Sequence, residues 1–519
     1  MFWSATLRRV HLSLAPGIVA SLLLAALPAL ALPFPQTDPA AQERSLRQAV
    51  RDHPEDAKAQ ASLGTVLAMQ NKLEEGVPWL EKALKANPRD AETRRTLATA
   101  YWQLGQAEKA RTNLVIVLRA LPGDGWSTLL LGMVSEELGD HAEAARLLHS
   151  MLPRVRQRVE TILSLARAYY ATNEPDKARQ TLGYLAALPD APQAQFKGGR
   201  AAADFRDYAT AEAMFRAIQY SYPDPAEVQL NLALAQYAQQ HYDDSQKTLL
   251  ASVESGRANA NTYELLGWTY QQQNRLEDMM KAFEKAINME PGQESHFLEL
   301  GQALLEKRNA QTALEVADEA IKRFPNSSRA WSMKGASELR MSRLTDAEKS
   351  YAKAVELGPD DAKAALGLAL TYWNASQEDK ATAAFSRAAA RFPRDALIQL
   401  KYAIFLTNSP QPKGDKERQQ IKSLLERSEQ LDGSIAETHF NLGNIAVQEE
   451  KYDVALNEFE ATTRLDPGMS KAHFALARVY RRLGREDAAL KETEIHKKLK
   501  AKEELDSDAN AAIGAQTTK

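Results

Sequence analysis

The chain has 519 residues, of which 44% are hydrophobic and 26% charged, with a formal net charge of −3. That composition excludes wholesale disorder, and the slight acidic balance argues against a nucleic-acid partner, which needs a basic excess. Cysteine is absent, so disulfides, thiolate metal sites and a thiol nucleophile are excluded.

In chain order, Arg8 and Arg9 precede an apolar stretch that ends at Ala29-Leu30-Ala31. A positive start, an apolar run and a small-x-small end describe a secretory signal peptide over residues 1–31. The expected location is therefore outside the cytoplasm, in a periplasm or secreted. The alternative is an uncleaved anchor, because Leu12 to Leu32 is nearly long enough to span a bilayer. Pro16, Pro28 and the cleavage site argue against that alternative, which is the one membrane contact expected. Residues 32–40 read as a short extended linker. In residues 41–56, Leu46, Ala49 and Pro54 fall in the phase of a second helix, so a half-repeat cap is expected there.

From residue 57 to 503 the sequence keeps a beat. Pro54, Pro88 and Pro122 are 34 apart, as are Pro291, Pro325, Pro359 and Pro393. Small residues follow the same interval at Gly64, Ala98, Gly132 and Ala166. They continue at Gly199, Ala233, Gly267, Gly301, Gly335, Ala369 and Ala403, with one step of 33 before Gly199. A step of 40 then leads to Gly443, and Ala477 closes the series. Twelve places on, a second small residue usually recurs, as at Ala110, Ala144, Ala313 and Ala455, with Met279 and Ile421 as departures. Each interval holds two apolar-periodic stretches of about three to four turns, so each unit is a predicted helical hairpin. The first helix is expected to carry its small residue where the second crosses it. Proline marks the return turn, because it lacks an N–H and disfavours helix in the residue before it. The six extra residues near "TNSPQPKGDKERQQ" predict a protruding loop between two helices.

These spacings resemble the tetratricopeptide repeat, closely at Leu266-Gly267, Tyr270, Phe283, Ala286 and Pro291, and again at Trp331, Gly335, Ala347, Tyr351, Ala354 and Pro359. The resemblance implies an all-α, right-handed solenoid of about thirteen stacked hairpins, whose first helices line a concave, partner-binding side. On that construction Arg167, Arg200 and Trp268, just after the small place, point towards the binding face. So do Trp102, Tyr170, Tyr237 and Trp373, one turn along their helices. Tyr, Trp and Arg are the types enriched at interface hot spots; the competing reading is that these side chains cover neighbouring helices. Some members of the family hold a carboxyl-terminal peptide through Lys and Asn. The matching places here hold Ala61, Thr65, Leu129 and Met133, so that specificity does not transfer.

Catalytic motifs are missing: there is no Gly-rich phosphate loop, H-E-x-x-H or nucleophile elbow. "FKGGR" at Phe196 to Arg200 is the nearest to a phosphate loop, but Gly199 is the expected packing glycine. His439 and His473 are 34 apart. They could form a metal pair, but Tyr263, Phe297 and Trp331 hold the same place elsewhere, which favours packing. Glu492 and His496 read as a solvated pair. Lys497, Lys498, Lys500 and Lys502 face Glu503 and Glu504 and read as a solvated face. Residues 504–519 are expected to be a flexible tail. The sequence thus describes a non-catalytic protein-binding scaffold or adaptor without a cofactor or metal. The alternative is a periplasmic part of an envelope export or polysaccharide secretion machinery.

Overall fold

The computed structural model describes residues 39–409 and 414–516, with side chains as far as Glu504. The signal segment, most of the linker and residues 410–413 of the expected loop lie outside the described residues. Among the described residues there are 27 α-helices, one 3₁₀ turn and no strand. None of these helices is long and apolar enough to cross a membrane.

The chain divides into two compact units, residues 1–273 and 274–519. The first holds α1 (Pro39–Asp52), α2 (Ala57–Met69), α3 (Leu73–Ala86), α4 (Ala91–Gln103), α5 (Ala107–Ala120), α6 (Gly125–Glu137) and α7 (His141–Val155). It continues with α8 (Val159–Ala171), α9 (Pro175–Gly183), α10 (Ala191–Asp204), α11 (Tyr208–Ile218), α12 (Pro225–Ala238), α13 (Tyr242–Glu254) and α14 (Ala260–Gln272). The second unit holds α15 (Leu276–Met289), α16 (Glu294–Glu306), α17 (Ala310–Arg323), α18 (Ser328–Arg340), α19 (Leu344–Leu357), α20 (Ala362–Asn374) and α21 (Glu378–Arg391). It ends with α22 (Ala396–Asn408), α23 (Asp415–Leu431), α24 (Ala436–Gln448), α25 (Tyr452–Leu465), α26 (Ser470–Arg482) and α27 (Glu486–Gln516). Within each unit, consecutive helices pack on one another and first helices also touch the next first helix, as α4 touches α6 and α18 touches α20.

Two kinds of turn alternate. Between hairpins, proline is followed by an N-cap: the Asp90 carboxylate accepts from the Glu92 and Thr93 amides at 3.1 Å, and Asp56 and Asp361 cap α2 and α20 in the same way. In twelve of the turns that join a first helix to its second, one residue is left-handed: Asn71, Gly105, Gly139, Asn173, Arg206, Gln240, Asn274, Arg308, Ser342, Ser376, Glu450 and Gly484. The turn after α2 shows why. The Asn71 amide donates to the Ala68 carbonyl at 3.0 Å and the Lys72 amide reaches back to Leu67 at 2.9 Å. These bonds close the carbonyl end of the helix around a left-handed residue. Nine of the twelve are not glycine, and they run at φ between 54° and 64°.

The small beat marks the closest packing, where the second helix of a hairpin crosses the first. A Cβ added at Gly64, Gly132, Gly199, Gly335 or Gly443 would come within 2.6–2.8 Å of Leu80, Leu148, Phe215, Tyr351 or Phe459. Each small residue thus seats the large side chain sixteen places on, in its own hairpin's second helix. At Gly301 the residue sixteen places on is Ala317, too small to fill the space, and the Met333 thioether of the next hairpin lies there instead. Met279 and Ile421, where a second small residue was expected, are buried.

Length changes are absorbed locally. The 33-residue step coincides with α9, which has nine residues and continues as a four-residue 3₁₀ turn, Tyr184–Ala187. Four residues at ~2.0 Å rise span about the length of five α-helical ones, which offsets the missing residue. The 40-residue step is shared. α23 has 17 residues where α21 has 14, and the other three extra residues fall between Asn408 and Asp415. At the carboxyl end α27 continues to Gln516, past the tail boundary expected at 504, because no proline and no glycine before Gly514 interrupts it.

Candidate functional site

The expected binding side chains lie on first helices, and all seven are half-buried. On α4, the Trp102 indole Nε1 donates to Glu137 Oε2 on α6 at 2.8 Å, and its ring packs against the apolar core of the first unit. On α8, Arg167 Nε donates to Glu136 Oε1 at 3.0 Å and its Nη2 to Glu136 Oε2 at 3.3 Å and to Ser164 Oγ at 3.2 Å. This fork-on-carboxylate arrangement joins α8 to α6.

Tyr170, also on α8, stacks on Phe205 at 5.2 Å with 15° between the rings. Its hydroxyl donates to Asp207 Oδ2 at 2.9 Å. The same carboxylate accepts from Arg179 Nε at 2.7 Å and Thr210 Oγ1 at 3.0 Å. Burial alone would push the Asp207 carboxyl up; the bonds from Arg179, Tyr170 and Thr210 outweigh it and hold it below the usual carboxylate range. Burial, reinforced by the bond to Asp207, pushes the Tyr170 phenol up.

Arg200 on α10 feels the field of Glu227 and Tyr222, but among the described residues it forms no direct ion pair. Burial, and Asp224 nearby, raise the Glu227 carboxyl, with Arg200 opposing. Tyr237 on α12 meets Tyr242 edge-on at 5.3 Å, and Trp268 is half-buried on α14. In the second unit Trp373 on α20 sits edge-on to Phe385 at 6.3 Å and Phe405 at 5.6 Å, packed against an aromatic core. It packs against the core of α20–α22 while remaining half-buried, as Trp102 and Tyr170 do against the core of the first unit.

The first helices of the first unit thus carry Trp102, Glu136, Glu137, Arg167 and Tyr170 as a linked set, part aromatic and part charged, with Arg200 on α10, the first helix of the next hairpin. Glu136, Glu137 and Asp207 were not singled out in the sequence. Glu136 and Glu137 stand four and five places after Gly132, and that offset was the signal.

The remaining motifs have local partners. Gly198 and Gly199 lie inside α10, where an added Cβ would meet Leu185 and Phe215 at 2.6 and 2.7 Å, so "FKGGR" is helix and not a phosphate loop. His439 and His473 are each bonded within their own repeat and do not act as a pair. His439 Nε2 donates to the Gly433 carbonyl at 2.9 Å and Nδ1 lies 2.8 Å from Glu458 Oε2. His473 repeats this with Pro467 at 3.0 Å and Glu492 at 2.6 Å. Burial alone would lower the His439 pKa, but the Gly433 carbonyl and the Glu458 carboxylate outweigh it and raise it above the usual value. Glu492 and His496 are not a solvated pair: Glu492 holds His473, and His496 Nδ1 lies 2.9 Å from Ser470 Oγ.

A sequence model described as Tetratricopeptide repeat matches residues 36–91, 95–156, 298–362, 332–396 and 440–494. Two further models of that description match residues 136–201 and 260–293. No curated protein sequence matches the chain. Among solved structures it is similar to yeast Tom70, with 15% identity and a TM-score of 0.42 over 83% of this chain and 99% of that one. It is also similar to the Cut9-Hcn1 hetero-tetramer of the APC/C, with 12% identity and a TM-score of 0.37 over 84% and 92%.

Proposed function

The chain belongs to the tetratricopeptide repeat family, and from that premise we propose that it is a non-catalytic scaffold, exported from the cytoplasm, that holds a protein partner on its first helices. The observation that carries this reading is the linked set of first-helix side chains from Trp102 through Glu137, Glu136 and Arg167 to Tyr170, with Arg200 on the first helix that follows. It combines aromatic rings with charged groups, the mixture that gives interfaces both burial and orientation. Its charges are already arranged by neighbours, as Arg167 is by Glu136, so little side-chain ordering remains to be done when a partner docks. Arg200, which has no direct ion pair among the described residues, is the group with most to gain from an incoming carboxylate.

Two measurements test the proposal. The chain is expected to begin near Leu32 when isolated from its native source, in an extracytoplasmic fraction. Amino-terminal sequencing that finds Met1 retained overturns the cleaved, exported reading. The wild-type protein and the Arg200→Ala variant, immobilised side by side, are expected to capture at least one protein in different amounts from an envelope or secreted fraction. Buried anchors of this type commonly contribute about 2 kcal/mol or more, which is a ~30-fold loss. Equal capture by two proteins with the same circular dichroism melt would move the binding surface away from this face.

A further inference from the structure

The last repeats of the second unit contain the same histidine clamp twice, with one difference between the copies. Gly433, His439 and Glu458 stand in register, 34 residues apart, with Pro467, His473 and Glu492. The bonds are equivalent in the two. The difference is Glu429: its Oε1 lies 3.7 Å from His439 Nδ1, whereas the residue 34 further on is Thr463. One nitrogen of His439 and one oxygen each of Glu429 and Glu458 lie within 4.8 Å of one another.

We propose that Glu429, His439 and Glu458 form a site for a divalent first-row transition cation of the Zn²⁺ type, which joins α23, α24 and α25. The donor set is chemically suited, since imidazole nitrogen and carboxylate oxygen are ordinary ligands of such ions. His439 is only 8% exposed. Its Nε2–H bond to the Gly433 carbonyl fixes the ring and leaves Nδ1 as the ligand atom, the outer-shell arrangement usual for metal-binding histidines. The spacing also suits a metal. Bonds of ~2.0 Å in a tetrahedral site put ligand atoms ~3.3 Å apart, and the observed 2.8 Å and 3.7 Å lie on either side of that value. Among the described residues no Lys or Arg pairs with Glu429 or Glu458, so two carboxylates converge on a single imidazole. At His473 the second carboxylate is replaced by a hydroxyl, which leaves two ligands and no comparable site. Binding places the metal on Nδ1 in exchange for any proton held there, with water completing the coordination.

The test uses the full chain, freed of metal and titrated with ZnCl₂ by calorimetry at a mildly alkaline pH. One equivalent is expected to bind. Glu429→Thr copies the sister repeat, so the fold is kept, and it should weaken binding by ~10- to 100-fold or more, with His439→Ala at least as damaging. His473→Ala should leave the affinity within about 2-fold, since that imidazole lies outside the site. Circular dichroism of each variant controls for folding. Absence of saturable Zn²⁺ binding, undiminished binding by Glu429→Thr, or equal loss with His473→Ala would each overturn the proposal.

Discussion

Tyr170 and Trp373 occupy the same place in their repeats, four residues beyond Ala166 and Ala369, yet different forces hold them. Tyr170 lays its ring on Phe205 and gives its hydroxyl proton to Asp207. Trp373 makes no such polar tie among the described residues and is held between the edges of Phe385 and Phe405. What they share is direction. Phe205, Asp207 and Phe405 all lie one repeat further on, as does Glu137, the acceptor for Trp102. This place on the first helix therefore couples consecutive hairpins, with an apolar contact in one region and a polar one in the other. In a repeat array such interface contributions supply much of the stability.

The largest effect is expected from removing the apolar coupling. Trp373→Ala should destabilise the hairpins α20–α23 by ~2–3 kcal/mol, below the ~3–5 kcal/mol typical of a fully buried aromatic because the ring is half-exposed. Hydrogen exchange along α20 and α22 measures it, and unchanged protection there would show that the ring is dispensable. Gly301→Leu comes next, at ~1–3 kcal/mol for overpacking. The added side chain would displace Met333, so protection should fall in α16 and α18 first. A fall confined to α16 and α17 would restore the original expectation that the small residue serves its own hairpin alone.

The polar coupling should give the smallest and the only acid-sensitive effect. Tyr170→Phe keeps the stacked ring and loses one hydrogen bond to a charged acceptor, at a cost of ~1–2 kcal/mol. Asp207 adds a pH signature. Its folded pKa is held below the usual value, so its contribution is present above the unfolded pKa of ~3.9 and is lost as the pH falls through the folded value. Melts recorded downward from about pH 5 should therefore show a decline that is shallower in Asp207→Asn than in the wild type. The coupling at Trp373 should contribute nothing to that slope.

Most of the fold was legible because the constraint behind it repeats. A small residue is needed wherever a bulky side chain must reach the backbone of the first helix, and that need recurs every 34 residues, with Leu80, Tyr351 and Phe459 as its counterparts. Gly301 shows the limit: with Ala317 opposite, the space is filled by Met333 from another hairpin, and no periodic pattern points there. The left-handed turns were hidden for a similar reason. Glycine would have signalled them, but Arg206, Arg308, Ser376 and Glu450 take the conformation because the closing hydrogen bonds fix it. The candidate face was half legible. Position singled out Trp102, Arg167 and Tyr170, whereas their acceptors depend on which side chains of the neighbouring repeats come within reach, Glu137 and Asp207 from the repeat that follows and Glu136 from the one before.

The restriction of helix packing within each unit to next and next-but-one neighbours bears on how the chain reaches its structure. Contacts of such short sequence separation demand little loop closure, so each hairpin can form quickly and the array can grow from several starting points. By the same token, no single cooperative transition has to take in every hairpin of a unit. Under denaturant, a unit weakened at one interface should come apart there first while hairpins farther along remain folded, so that different spectroscopic reporters give different midpoints.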